Sequence, residues 1–260
     1  DCTLPKILRL SFKKLSPQSL FFTLALIFFP FSEIFADHIV GGEFIYSCRG
    51  WLNDDPSTGI KVYDCQINMY RDCVGDGAYF DGVNTDQNGG VGPNGFSSSQ
   101  MNISIYQGTT IYEATRIFLL GPVADVPINL GNPCLEFEEE VCQQIGVNDF
   151  EIELPVSDQS YTLTYQRCCR NMTISNLITP SQIGSTYFIT ITPEAQQQCN
   201  ESPRFNINPP IALCVNADFQ IDLGASEGEG DSLVYKFCDP IVGGGRDGNM
   251  TTQTTFDDVV

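Results

Sequence analysis

Two hexapeptides, DFEIEL at 149–154 and DFQIDL at 218–223, alternate strictly between polar side chains and large apolar ones. Phe150, Ile152 and Leu154 fall on one side of an extended chain, and Asp149, Glu151 and Glu153 on the other. Successive strand side chains point to opposite faces, so this pattern fits a sheet with one buried face and one wet face. The same strand signal, rich in β-branched and aromatic residues, recurs at 43–48, 60–70, 101–107, 116–120, 161–168, 186–192, 211–215 and 232–238. Clusters of Gly, Pro, Asn and Asp separate these segments, as in GVNTDQNGGVGPNG at 82–95. Helical period is nearly absent: 134–145 (CLEFEEEVCQQI) predicts a turn or two, and 193–199 (PEAQQQC) a short capped turn. The sum predicts an all-β fold, an antiparallel β-sandwich of Ig-like or PKD-like kind.

The first 36 residues follow a different rule. Lys6, Arg9, Lys13 and Lys14 precede the apolar run LFFTLALIFF at 20–29, and PFSEIFA leads to the small Ala36. An apolar core of about 7–15 residues suits a signal peptide, whereas a membrane span needs about 20. Residues 1–36 therefore read as a signal peptide cut between Ala36 and Asp37, and the mature part as not membrane-spanning. INPP at 207–210 marks a second boundary. Residues 37–205 would form a cysteine-rich β-sandwich domain, and 206–260 the truncated start of an Ig-like or cadherin-like domain.

Removal of the signal takes Cys2 and leaves ten of the 11 cysteines: Cys48, Cys65, Cys73, Cys134, Cys142, Cys168, Cys169, Cys199, Cys214 and Cys238. An even count in an exported chain reads as a disulfide framework. A zinc site is disfavoured, because no CxxC pair occurs and histidine ligands are missing. Cys134 with Cys142, and Cys214 with Cys238, are candidate pairs, though spacing leaves the connectivity open. In the tandem Cys168-Cys169, Tyr161, Leu163 and Tyr165 set the inner face. Cys169 then points inward and Cys168 outward, with separate partners. Arg167 also points inward on this register.

Several chemistries are excluded. His38 is the one histidine, so Ile39-Val40-Gly41-Gly42, which resembles the start of mature trypsin-like proteases, has no Ser-His-Asp set behind it. Gly230-Asp231-Ser232-Leu233 resembles the nucleophile block of GDSL esterases, yet no histidine follows to act as base. Paired carboxylates could hydrolyse glycosides without histidine, but no particular pair is singled out. The mature chain keeps 9 Lys and Arg against 30 Asp and Glu, a formal charge of about −21. Such a surface repels nucleic acid and favours cations. Glu227, Glu229 and Asp231, in the turn ASEGEGDSL, form a candidate calcium site; no other cofactor is indicated. Asp72, Asp76, Asp81, Asn84, Asp86 and Asn88 alternate with glycine and read as a solvated loop.

HIVGGEFIYSC at 38–48, VYDCQINMYRDC at 62–73, YTLTYQRCCRN at 161–171 and NINPPIALCVNADFQIDLGASEGEGDSLVYKFCDP at 206–240 together resemble the N-terminal region of large secreted surface proteins of Bacteroidota, the PKD-like or gliding-motility-associated C-terminal-domain proteins. YQRCCRN is the most specific block. The resemblance implies a cysteine-rich module behind a signal peptide, followed by further Ig-like or PKD-like repeats of the same polypeptide and a sorting domain for type IX secretion. Cys65 is extra to the family's usual set. The expected function is a non-catalytic structural or adhesion module, secreted or on the outer-membrane exterior, meeting extracellular glycans or other surface proteins. The alternative is a carbohydrate-binding module or accessory domain of a secreted polysaccharide-degrading enzyme.

Overall fold

The computed structural model describes residues 39–73, 80–81, 101–117, 123–127, 142–167, 170–171, 174–206, 218, 220–238, 241 and 243. The chain divides into two compact units, Asp1–Ile34 and Phe35–Val260. The signal-peptide reading, with its cut at Ala36 and Asp37, lies outside the described residues. Among them, no helix is long and apolar enough to cross a membrane.

Eight strands carry the fold: β1 (Ile39–Trp51), β2 (Ile60–Asp72), β3 (Met101–Gln107), β4 (Thr110–Ile117), β5 (Ala124–Asp125), β6 (Gln143–Pro155), β7 (Tyr161–Arg167) and β8 (Ser185–Ile191). They form two four-stranded sheets, in the orders β1-β2-β6-β5 and β4-β3-β7-β8. Every pairing is antiparallel. The all-β expectation holds.

Inward positions of both sheets build one core. Tyr63, Cys65, Ile67 and Met69 of β2 and Ile152 and Leu154 of β6 share it with Met101, Ile103 and Ile105 of β3 and Tyr161, Leu163 and Tyr165 of β7. Burying each large side chain contributes about 1.5–3 kcal/mol, and the period-two pattern delivers them to one face. Tyr46 meets Tyr63 edge to face with ring centroids 6.1 Å apart, a favoured aromatic geometry. Among the described residues, the buried Tyr63 hydroxyl has no hydrogen-bond partner.

Among the described residues there is one α-helix, α1 (Pro193–Gln198), and its Ala195 packs against the core. Thr192 caps its start by accepting from the Ala195 N–H at 3.1 Å, and Pro193 sits in its first turn, where a missing N–H costs nothing. Lys61, buried at the head of β2, donates to the Gln196 and Gln197 carbonyls. Its ammonium also lies 4.9 Å from the Trp51 ring centroid. These carbonyls have no partner within the helix, so the lysine both caps α1 and complements its dipole. Gln196 is buried too; it accepts from Ser157 N–H at 2.8 Å and donates to the Gln159 carbonyl at 2.9 Å, fixing the β6–β7 connection.

Some boundaries differ from expectation. The fourth strand occupies 110–117 rather than 116–120, because Gly108 adopts φ 57 and lets the chain reverse directly after β3. Gln143–Ile145, expected to be helical, extends β6 between β2 and β5: Tyr70 faces Ile145 and Asp72 faces Gln143 on one side, and Ala124 faces Ile145 on the other. The described residues of 218–223 and 232–238 belong to no ladder, and Val234 and Phe237 are 91% and 92% exposed. Instead the short strands β9 (Arg204–Phe205) and β10 (Ala225–Ser226) pair across the boundary expected at 206.

Candidate functional site

The outer face of the β1-β2-β6-β5 sheet carries a polar lattice. Ser47, Asp64 and Glu151 are register partners across β1, β2 and β6, and Ile45, Gln66 and Asp149 form the adjacent row. A register shift between Cys48 and Gly50 moves Arg49 out of strict alternation; Gly50, at φ 120, takes a backbone state that side chains rarely adopt. The Arg49 guanidinium then bridges two strands. It pairs with Asp64 through Nη2 and through Nε at 3.2 Å, and with Glu151 through Nη1 at 2.7 Å. Hydrogen bonds to Asp64 and then Glu151 raise the guanidinium pKa above its ordinary value. Beside them Gln66 donates to Asp149 at 2.7 Å.

These side chains line a groove of about 380 Å³, with Arg204 at its wall. Arg49, Asp64 and Glu151 are each about half exposed. Pairs in such contact with water contribute about 0–1 kcal/mol, so their arrangement shapes the groove far more than it holds the fold.

The cysteines are distributed by register. Cys48 bonds Cys199 and Cys73 bonds Cys142, spanning 151 and 69 residues. The candidate pair Cys134–Cys142 is thereby corrected. The β2–β6 ladder ends at Asp72 opposite Gln143, so Cys73 and Cys142 are the next facing positions, and the Cys73 N–H donates to the Cys142 carbonyl at 3.3 Å. Cys65 is free and buried, and Cys238 is free and exposed, which also removes the pair Cys214–Cys238. Cys65 faces inward beside Phe150 and Tyr46 in register, where a thiol acts as a small apolar filler; burial pushes it up to about 12. Cys134, Cys168, Cys169 and Cys214 lie outside the described residues.

The three calcium candidates are already engaged in hydrogen bonds. Both Glu227 oxygens accept backbone N–H groups, from Glu229 at 2.7 Å, Gly230 at 2.5 Å and Asp231 at 2.7 Å. Glu229 accepts from the Glu201 N–H at 3.0 Å, and Asp231 from Asn200 at 2.6 Å. Among the described residues no three His, Cys, Asp or Glu side chains are placed to share a metal ion. Glu227 is held below its ordinary value by hydrogen bonds from Glu229 and the turn amides, while Glu229 is raised by its bond to Glu227.

Asp81, read as part of a solvated loop, is drawn inward. It pairs with Arg167 and accepts from the Tyr165 hydroxyl at 2.6 Å. The inward aim of Arg167 matches its strand register; its partner could not be named from spacing. Asp76, Asn84, Asp86 and Asn88 lie outside the described residues, as does His38.

The groove residues were missed in the sequence because each is an ordinary polar position on an alternating strand. The signal that could have found them is their common parity on three long strands. Comparison of the chain with protein-family models, curated proteins and solved structures gives no match.

Proposed function

We propose that this chain is a non-catalytic, disulfide-stabilised module of a secreted or cell-surface protein, making structural or adhesive contacts through side chains presented on a stiff sheet. The observation that carries the reading is the placement of the two cystines. Cys73–Cys142 locks β2 to β6 at one end of their ladder, and Cys48–Cys199 ties β1 to the segment after α1. Bonds of this kind persist in oxidising spaces outside the cytosol. The acidic surface and the resemblance of 38–48, 62–73 and 161–171 to Bacteroidota surface modules support the same reading, with Ig-like or PKD-like repeats and type IX export as its natural context.

The test is thermal melting of the full chain with and without dithiothreitol, beside sequencing of the exported protein's first residues. A Tm lowered by reduction and a start at Asp37 are expected. An unchanged Tm, or export with residues 1–36 retained, would overturn the reading.

A further inference from the structure

We propose that the groove crossing β1, β2 and β6 is a binding site for a neutral polysaccharide strand. The inference rests on the non-catalytic reading, since the groove is assigned holding and not cleavage.

The location excludes one common mode of recognition. β2 is hydrogen-bonded on both edges, to β1 and to β6, so a ligand above it cannot be bound by strand addition, which needs an open edge. Recognition here must run through side chains. The charged and amide side chains among them are planar and regularly spaced, with Ile45 and Phe150 adding apolar lining between them. Neighbouring strands lie about 4.8 Å apart, and same-face residues along a strand about 6.7 Å apart. Asp64, Glu151, Gln66 and Asp149 occupy four adjacent points of that lattice. A chain of sugar rings presents pairs of neighbouring hydroxyls at regular intervals, each hydroxyl both donor and acceptor. Carboxylates and amides meet such pairs with two oxygens, or with one oxygen and one N–H.

The groups are positioned and keep capacity to spare. Three of the five Arg49 N–H groups go to Asp64 and Glu151, leaving two for a ligand. Gln66 occupies one Asp149 oxygen and leaves the other. Ligand hydroxyls would therefore add to a preorganised network instead of breaking it, which lowers the ordering cost of binding.

Charge selects among polysaccharides. Arg49 and Arg204 stand against Asp64, Asp149 and Glu151, so the lining carries a net −1 within a chain of net charge −19. A polyuronate would be repelled both locally and by the whole field. A neutral glycan pays no such penalty.

Calorimetric titration of the full chain tests this with neutral β-glucan and mannan hexasaccharides, a hexagalacturonate and an oligolysine peptide. At least one neutral hexasaccharide is expected to bind. Gln66→Ala and Glu151→Gln should each weaken binding on the order of tenfold, the loss of about one hydrogen bond, with Tm unchanged. Glu113→Gln, on exposed β4, should bind as the unaltered chain does. Absence of neutral-glycan binding, equal binding by the groove variants, or preference for hexagalacturonate or oligolysine would overturn the site. None of these results would touch the disulfide-dependent Tm on which the parent reading stands. Release of reducing ends by the unaltered chain but not by the groove variants would support the site while overturning the non-catalytic reading.

Discussion

Arg167, at the inner end of β7, and Asp81, from the segment after β2, form an ion pair inside the protein, with the Tyr165 hydroxyl donating to the same carboxylate. Burial opposes the charge on Arg167, yet the Asp81 carboxylate outweighs it and holds the guanidinium pKa above its ordinary value. Tyr165 stacks on Tyr187 of β8 at 6.2 Å between centroids, so pair and aromatics form one unit. Removing one partner of a buried pair typically costs about 3–5 kcal/mol, because the other charge loses its compensating carboxylate or cation. Asp81→Ala is expected to lower stability by about that amount in urea titration. Asp81→Ala with Arg167→Met should recover much of the loss.

Tyr63 offers the opposite case. Its ring fills the core while its hydroxyl lacks a partner among the described residues, and burial raises its pKa. An unmatched buried polar group costs about 1–3 kcal/mol. Tyr63→Phe keeps the ring and removes the mismatch, so an unchanged or higher Tm is expected. A large fall would show that the hydroxyl is satisfied.

The two cystines should act unequally but comparably. Typical stabilisation is about 2–4 kcal/mol each, and loop length enters only as a logarithm. The 151-residue and 69-residue spans therefore differ by about 0.7 kcal/mol. Cys48→Ser/Cys199→Ser and Cys73→Ser/Cys142→Ser should each lose stability within that typical range in chemical denaturation. Loss from only one pair would show that the other is dispensable.

The free thiols should separate by reactivity. Thiolate is the reactive form, and Cys65 is buried with its pKa pushed up to about 12. Iodoacetamide at neutral pH should label exposed Cys238 in the native protein and reach Cys65 only in denaturant. Native labelling of Cys65, read by peptide mass spectrometry, would contradict its placement.

Acidification should act on the Glu227 turn. A carboxylate whose folded pKa is depressed contributes stability above its unfolded pKa, and the contribution is lost as pH falls through the folded value. Protection of the Gly230 and Asp231 amides, which Glu227 accepts, should thus decline below the ordinary Glu range. Glu227→Ala should abolish it at every pH. Hydrogen exchange read by NMR checks both expectations.

Strand parity in the sequence located β1, β2, β3, β6, β7 and β8 and most of the core, since alternation reports directly on which side of a sheet is dry. It also aimed Arg167 inward. Partners were another matter. Asp81 and Arg167 are 86 residues apart in numbering and meet only once two sheets are assembled, and Cys73–Cys142 becomes evident only from the β2–β6 register. Lys61 shares the inward parity of Tyr63 and Cys65, but the carbonyls that satisfy it belong to a helix more than a hundred residues away. The groove was hardest to read, because Asp64, Gln66, Asp149 and Glu151 look like routine wet-face residues until β2 and β6 stand side by side.

Ser202 has a wider consequence for how molecules of this protein behave when concentrated. Its N–H donates to the Tyr46 carbonyl at 2.9 Å, and its hydroxyl oxygen accepts from the Tyr46 N–H at 2.9 Å. Both main-chain groups of a residue on outermost β1 are thus already engaged, and Cys48–Cys199 anchors the segment that engages them. An incoming molecule cannot zip onto that stretch to begin a fibril. Severing the neighbouring cystine would remove one anchor of that plug, so reduced protein is expected to stack into fibres more readily.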